Sequence, residues 1–68
     1  MHIRLNGAPT QVPDPLTVSA LVRRVLGGAE AAGLAVALNG DVVRRLEWEG
    51  RQVVDGDEVE ILKPFAGG

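Results

Sequence analysis

The 68-residue sequence predicts an α+β fold in which one helix packs on one face of a mixed sheet. Residues His2–Asn6 and Glu58–Leu62 alternate polar and apolar side chains, the pattern of half-buried strands. One stretch between them repeats apolar residues at helical spacing. Three short turn sequences separate the remaining strand-like segments: Asn6–Gly7, Asn39–Gly40 and Asp55–Gly56.

The first predicted element is a hairpin. Ile3 and Leu5 share one face of its first strand, and Asn6–Gly7 turns the chain back. The return strand is expected at about Thr10 to Val12. Nearby prolines restrict this strand to a sheet edge, because they lack a backbone N–H: Pro9, Pro13 and Pro15.

A helix is predicted after this hairpin. Its apolar stripe has members at i, i+3, i+4, i+7 and i+8: Val18, Leu21, Val22, Val25 and Leu26. Thr17 is placed to cap the first turn, and Gly27 is placed to end the last one. Arg23 and Arg24 lie in the later turns, where positive charge suits the helix dipole.

The next predicted strand covers residues 34–38, after a loop over residues 28–33. Its larger apolar residues are expected to face the helix: Leu34, Val36 and Leu38. Ala35 and Ala37 point the other way, where small apolar side chains make a flat, weakly hydrated surface suited to docking. The simpler interpretation, that these residues are small for sheet packing alone, stays open.

The remaining strands follow in the last third of the chain. Residues 42–43 are expected to return as a strand, and the irregular segment after them contains Trp48, which we expect to cover one end of the core. A short strand over residues 52–54 precedes the last one, in which Val59 and Ile61 point inward.

The predicted order is therefore β-β-α-β-β-β. The first and last long strands are not joined by a hairpin, so we expect them to lie side by side and parallel in the middle of the sheet. This arrangement is the β-grasp (ubiquitin-like) roll. Pro64 cannot extend the ladder, so the expected domain covers residues 1–64 and a flexible tail covers residues 65–68.

Composition excludes several classes of function. A net charge of −2 argues against a nucleic-acid partner. Without cysteine the chain has no thiol nucleophile and cannot be a β-grasp ferredoxin. No apolar run approaches the ~20 residues of a membrane span, so no membrane partner and a cytoplasmic location are expected. Asp55 and Asp57 are explained by a turn, and we expect no metal site and no bound cofactor.

The last two residues, Gly67 and Gly68, carry the functional hypothesis. A ragged end is the simpler interpretation of such a pair. However, glycine lacks a Cβ, so its backbone can pass through a narrow channel. A carboxylate is a poor electrophile until adenylation by ATP makes it an acyl phosphate, after which sulfur can displace AMP. Gly68 would then carry the reactive carboxylate, and Gly67 would admit it to a partner's active site.

The chain as a whole resembles the sulfur-carrier proteins of thiamine biosynthesis. The resemblance rests on segments spread along the sequence: Ile3–Gly7, Thr17–Val18 with Leu21, Val36–Gly40, Val43 with Arg45 and Trp48, Asp55–Asp57 with Val59–Ile61, and Gly67–Gly68. It implies a carrier, not an enzyme. The implied partners are an E1-like adenylating enzyme that uses ATP, a sulfur-transfer enzyme of the cysteine desulfurase or rhodanese type, and thiazole synthase.

The resemblance also implies where partners bind. The exposed sheet face, the acidic last strand and the start of the tail are the expected contacts: Ala35, Ala37, Glu58, Glu60, Leu62, Phe65 and Ala66. The segment Lys63–Gly68 also resembles the tail of the small subunit of molybdopterin synthase, so another sulfur acceptor stays open. A ubiquitin-like protein modifier and a plain β-grasp interaction or RNA-binding domain are more distant alternatives.

Overall fold

Seven strands and one α-helix form the part of the chain that the computed structural model describes, residues 1–27 and 33–63. The strands are β1 (His2–Leu5), β2 (Ala8–Gln11), β3 (Leu16–Thr17), β4 (Ala35–Leu38), β5 (Asp41–Val43), β6 (Gln52–Val53) and β7 (Glu58–Leu62). The helix α1 spans Val18–Leu26, and a short 3₁₀ helix spans Arg45–Glu47.

Five of these strands form one mixed sheet in the order β2-β1-β7-β4-β5. The first strand pairs in parallel with the last, with Leu5 opposite Val59, while the other neighbours are antiparallel. The predicted fold class and the central parallel pair are thus confirmed. The sequence did not predict β3, which pairs with β6 in a separate two-stranded sheet. A strand of two residues is too short to show alternation.

The first hairpin turns more tightly than predicted. Asn6 and Gly7 have φ values of 50° and 83°, which make a two-residue turn, so pairing resumes at Ala8 opposite Leu5. The return strand is therefore Ala8–Gln11, and the expected range of Thr10 to Val12 was wrong. Pro9 is accommodated because β2 is an edge strand, where a missing N–H need not break the ladder.

The helix has the predicted ends. The Oγ1 of Thr17 accepts a hydrogen bond from the Ala20 N–H at 3.1 Å. Gly27 adopts a left-handed conformation with φ 60°, and its N–H donates to the carbonyl of Arg23. One member of the stripe differs from the prediction, because Val25 lines an open groove between α1 and the first hairpin and stays exposed.

The core lies between α1 and the inner face of the sheet. Its most deeply buried side chains are Val18, Leu21, Val36 and Val59. Trp48 is buried as predicted, and its Nε1 donates to the carbonyl of Val43 at 2.9 Å. Across residues 1–27 and 33–63, no helix has the length and apolar character needed to cross a membrane.

Candidate functional site

The candidate reactive end of the chain follows the central strand of the sheet. Strand β7 ends at Leu62, and Lys63 is the last described residue. The loop predicted over residues 28–33 also falls largely outside the described part, as does the stop at Pro64. Four predicted site residues lie beyond it too, and their roles stay predictions: Phe65, Ala66, Gly67 and Gly68.

The other five predicted site residues lie together on the outer face of the sheet, the face turned away from α1. In β4 and β7 the alternate residues point inward and are buried: Val36, Leu38, Val59 and Ile61. Their neighbours therefore share the outer face, where Ala35 lies opposite Leu62 and Ala37 lies opposite Glu60. Glu58 occupies the start of β7 on the same face. The structure thus brings these residues together on two adjacent strands.

The next strand extends this surface with an apolar residue that the sequence analysis missed. Val42 lies opposite Ala37 and is 75% exposed, and Leu62 is 58% exposed. We define the outer apolar patch as Ala35, Ala37, Val42 and Leu62. Val42 could have been found from the sequence, because an inward Val43 places the preceding residue on the outer face. Adjacent exposed apolar side chains of this kind often mark an interaction site.

Acidic side chains border the outer apolar patch. Glu58 and Glu60 are both exposed on β7, the central strand. Beyond them Arg4 of β1 lies beside Glu58 in the parallel register. The outer face therefore changes from apolar on the β5 side, through acidic in the middle, to basic on β1. Such an arrangement favours a partner surface with complementary apolar and basic regions.

A second exposed apolar residue lies in the 3₁₀ helix. Leu46 is 96% exposed, and no periodicity in its short segment points to it. A side-chain hydrogen bond stabilises this short helix, since the Glu47 side chain accepts from the Arg44 N–H at 3.1 Å. The guanidinium of Arg45 lies 5.6 Å from the centre of the Trp48 ring, within the range of a cation–π contact.

The acidic turn before β7 has a structural role, as the sequence analysis predicted. The Asp57 side chain is buried and accepts from the Val54 N–H at 2.8 Å and from the Asn39 amide at 2.9 Å. Asp55 is exposed and accepts from the His2 N–H at 2.8 Å. The described residues contain no cluster of three or more acidic or histidine side chains able to hold a metal.

Fold and surface together define a ubiquitin-like β-grasp protein with a short segment after its central strand. The chain belongs to the ThiS family, whose model matches residues 3–68. This range contains every predicted site residue, including Gly67 and Gly68. No curated protein matches the chain.

Solved structures agree with this assignment. The chain is 36% identical to the thiamine biosynthesis protein ThiS from Geobacter metallireducens, whose crystal structure matches with a TM-score of 0.80 and full coverage of both chains. The solution structure of a thiamine biosynthesis protein from the same organism matches at 36% identity and a TM-score of 0.79, over 100% of this chain and 88% of that one. SAMP1 from Haloferax volcanii matches at 19% identity and a TM-score of 0.60, covering 98% and 97% of the two chains, which shows a shared fold.

Proposed function

We propose that this chain is a sulfur carrier of thiamine biosynthesis whose working group is the carboxylate of Gly68. The observation that carries the proposal is the ThiS family match over residues 3–68, which includes the Gly67–Gly68 pair. The similarity to a thiamine biosynthesis protein along the whole chain supports the same pathway. The chain acts as a co-substrate of its partner enzymes and is not itself an enzyme.

The proposed chemistry proceeds in two steps at one carbon atom. An E1-like adenylating enzyme joins the Gly68 carboxylate to the AMP part of ATP, and pyrophosphate leaves. A cysteine desulfurase or rhodanese-type enzyme supplies the sulfur as a persulfide, two thiols of a co-reductant reduce this persulfide to hydrosulfide and form a disulfide, and the hydrosulfide attacks the acyl carbon. The bond to AMP breaks, a carbon–sulfur bond forms, and the resulting thiocarboxylate donates its sulfur to thiazole synthase.

The carrier needs no cofactor of its own in this scheme, because the adenylating enzyme uses the ATP. Since that step consumes ATP, we propose that the carrier acts in the cytoplasm. Gly67 has no side chain, so it admits the terminal carboxylate to a narrow active site. Phe65 and Ala66 contact the entrance of that site.

The outer face of the sheet provides the proposed docking surface. Ala35, Ala37 and Leu62 supply apolar contact area at little desolvation cost. Glu58 and Glu60 steer a basic partner surface toward the patch, an effect that weakens as salt is added. Burying the patch places the partner over the end of β7, from which the last residues continue.

Intact-mass spectrometry tests the proposal. The chain is incubated with the adenylating enzyme, ATP and a sulfur donor, and we expect the mass gain of one oxygen replaced by sulfur, located at Gly68 by fragmentation. A chain that stays unmodified, with an enzyme shown to be active on another carrier, would contradict the proposal. So would isopeptide conjugates to lysine side chains, which identify a protein modifier.

A truncated variant is the matched control. Deleting Gly68 should abolish loading, because the carboxylate then ends one residue short of the active site. The fold should persist, since the described elements end at Leu62. Circular dichroism and the fluorescence of Trp48 check the fold, and an unfolded variant would show that the terminus is structural.

A sulfur-transfer assay identifies the acceptor. The loaded carrier is offered separately to thiazole synthase and to the large subunit of molybdopterin synthase, and the thiocarboxylate is followed by mass. We expect sulfur loss only with thiazole synthase. Transfer only to the molybdopterin enzyme would overturn the thiamine assignment and retain the carrier chemistry.

A further inference from the structure

Two asparagine side chains hold opposite ends of the central strand. Asn6 and Asn39 begin the two Asn–Gly turns and have almost the same left-handed backbone, with φ values of 50° and 51°. The Asn6 Oδ1 accepts from the Ile61 N–H at 2.8 Å, and its Nδ2 donates to the Ile61 carbonyl at 3.3 Å. The Asn39 Oδ1 accepts from the Glu58 N–H at 2.9 Å. The two turns therefore bind β7 near its end and at its start.

The Asn6 amide takes the place of a peptide group in the β1–β7 ladder. The Arg4 N–H donates to the carbonyl of Asp57, and the Asn6 N–H donates to the carbonyl of Val59. The next step of a parallel ladder would bring residue 8 to the carbonyl of Ile61. The chain has already turned at Asn6–Gly7, so the side-chain amide supplies both a donor and an acceptor there. The Asn6 side chain thus extends the hydrogen bonding of β1 to β7 from Val59 to Ile61.

This contact lies at the root of the tail, which we define as Leu62 and Lys63. Ile61 directly precedes the root, and on its other side it pairs with Val36 of β4. A strand held on both sides has a fixed position and direction where it ends. Without Asn6 the last residues of β7 would be held by β4 alone.

We propose that Asn6 is a positioning residue, which fixes the position and direction of the root of the tail so that Gly68 can be loaded. The inference rests on the proposed sulfur-carrier function. Gly68 is five residues beyond Lys63, a reach of at most ~18 Å. A partner docked on the outer apolar patch therefore receives the carboxylate only if the root has a fixed place relative to that patch. Each backbone residue released from β7 must be ordered again at every loading event.

Paired glycine substitutions separate positioning from stability. Asn6→Gly and Asn39→Gly both keep the left-handed turn, which glycine adopts without strain, and both remove an amide that binds β7. Asn39 also donates to the buried Asp57 carboxylate, so its loss should destabilise the fold at least as much. Asn6→Asp adds a third variant, since it retains an acceptor for the Ile61 N–H and loses the donor.

Loading kinetics are measured with adenylating enzyme and ATP at a temperature where Trp48 fluorescence shows every variant folded. We expect Asn6→Gly to lower kcat about five- to thirty-fold with little change in KM, because Leu62 of the docking patch still pairs with β4 and only the one residue that Asn6 binds, Ile61, must be ordered again. Asn39→Gly should load at the wild-type rate, and Asn6→Asp should lie between. In the same proteins, amide NMR should show faster motion at Leu62 and Lys63 only when Asn6 is replaced.

Equal loading of the two glycine variants, or unchanged motion at Leu62 and Lys63 in Asn6→Gly, would overturn the inference. A rise in KM with an unchanged kcat would also overturn the inference, since that result would assign Asn6 to docking. If the wild-type chain itself gains no sulfur with active partner enzymes, the proposed function fails. The NMR comparison then still decides whether Asn6 orders the root.

Discussion

Replacing the buried carboxylate of Asp57 tests the reasoning about the turn that starts the central strand. The side chain accepts two hydrogen bonds, from the Val54 N–H and from the Asn39 amide, and is only 7% exposed. Bonds to a charged acceptor contribute about 1.5–3 kcal/mol each. We expect Asp57→Ala to lower the free energy of unfolding by about 3 kcal/mol, the lower end of the sum of the two bonds, because the site is not fully enclosed and water can replace the lost acceptor.

Asp57→Asn separates the two bonds. Its amide oxygen still accepts from the Val54 N–H, but its NH₂ group then faces the NH₂ group of Asn39. Asn39 cannot reverse its amide without giving up the Glu58 N–H. The expected cost is therefore about 1–2 kcal/mol. A chain of this length has a total free energy of unfolding of only about 3–10 kcal/mol. Asp57→Ala removes a large part of that energy, so the milder Asp57→Asn is measured beside it.

Urea unfolding followed by the fluorescence of Trp48, the only tryptophan, measures both costs. With a slope near 1 kcal/mol/M, Asp57→Ala should lower the midpoint by about 3 M. The matched control is Asp55→Asn, an exposed turn residue that keeps its acceptor for the His2 N–H and should change stability by less than about 0.5 kcal/mol. A cost below about 1 kcal/mol for Asp57→Ala would refute the argument, as would wild-type stability of Asp57→Asn.

Two further substitutions test the helix cap and the docking face. Thr17→Ala should lower stability by about 1 kcal/mol, since the Ala20 N–H loses its acceptor, and an unchanged urea midpoint would contradict the cap. Ala37→Arg adds a bulky charge to the outer apolar patch and should lower kcat/KM for loading at least about tenfold with stability nearly unchanged. Gln11→Arg, the same charge on the edge strand β2, should load normally, and equal losses in both would place docking elsewhere.

The sequence predicted most of the fold because its patterns are local and unambiguous. The apolar stripe of α1 with Thr17 and Gly27 at its ends defines a helix without any tertiary information. The two Asn–Gly pairs fix tight turns, because left-handed backbone is rare for other residues. The boundaries of β2 were misplaced because the two-residue turn lets pairing resume at Ala8, and the edge position, which was predicted, leaves Pro9 inside the strand.

The residues of the candidate site likewise include some that the sequence predicted and some that it did not. The Gly67–Gly68 pair and the alternating residues of β4 and β7 could be recognised along the chain, whereas only the pairing of β4 with β7 showed that the outer-face residues are neighbours. Leu46 was missed because no periodicity in its short segment points to it, whereas Val42 could have been found from the inward position of Val43. The exposure of Val25 escaped prediction because the helical stripe does not show how far the sheet covers it.

The sequence by itself thus determined most element types and the Asn–Gly turns from residues close together in the chain, and the fold class and the family resemblance from the order of such segments along it. Only the tertiary structure decided the register of the strands and which side chains bind across them. The bond from Asn6 to Ile61 spans 55 residues, and the bond from Asn39 to the Asp57 carboxylate joins two turns 18 residues apart. No local pattern encodes such contacts, because they exist only once the last strand has entered the middle of the sheet.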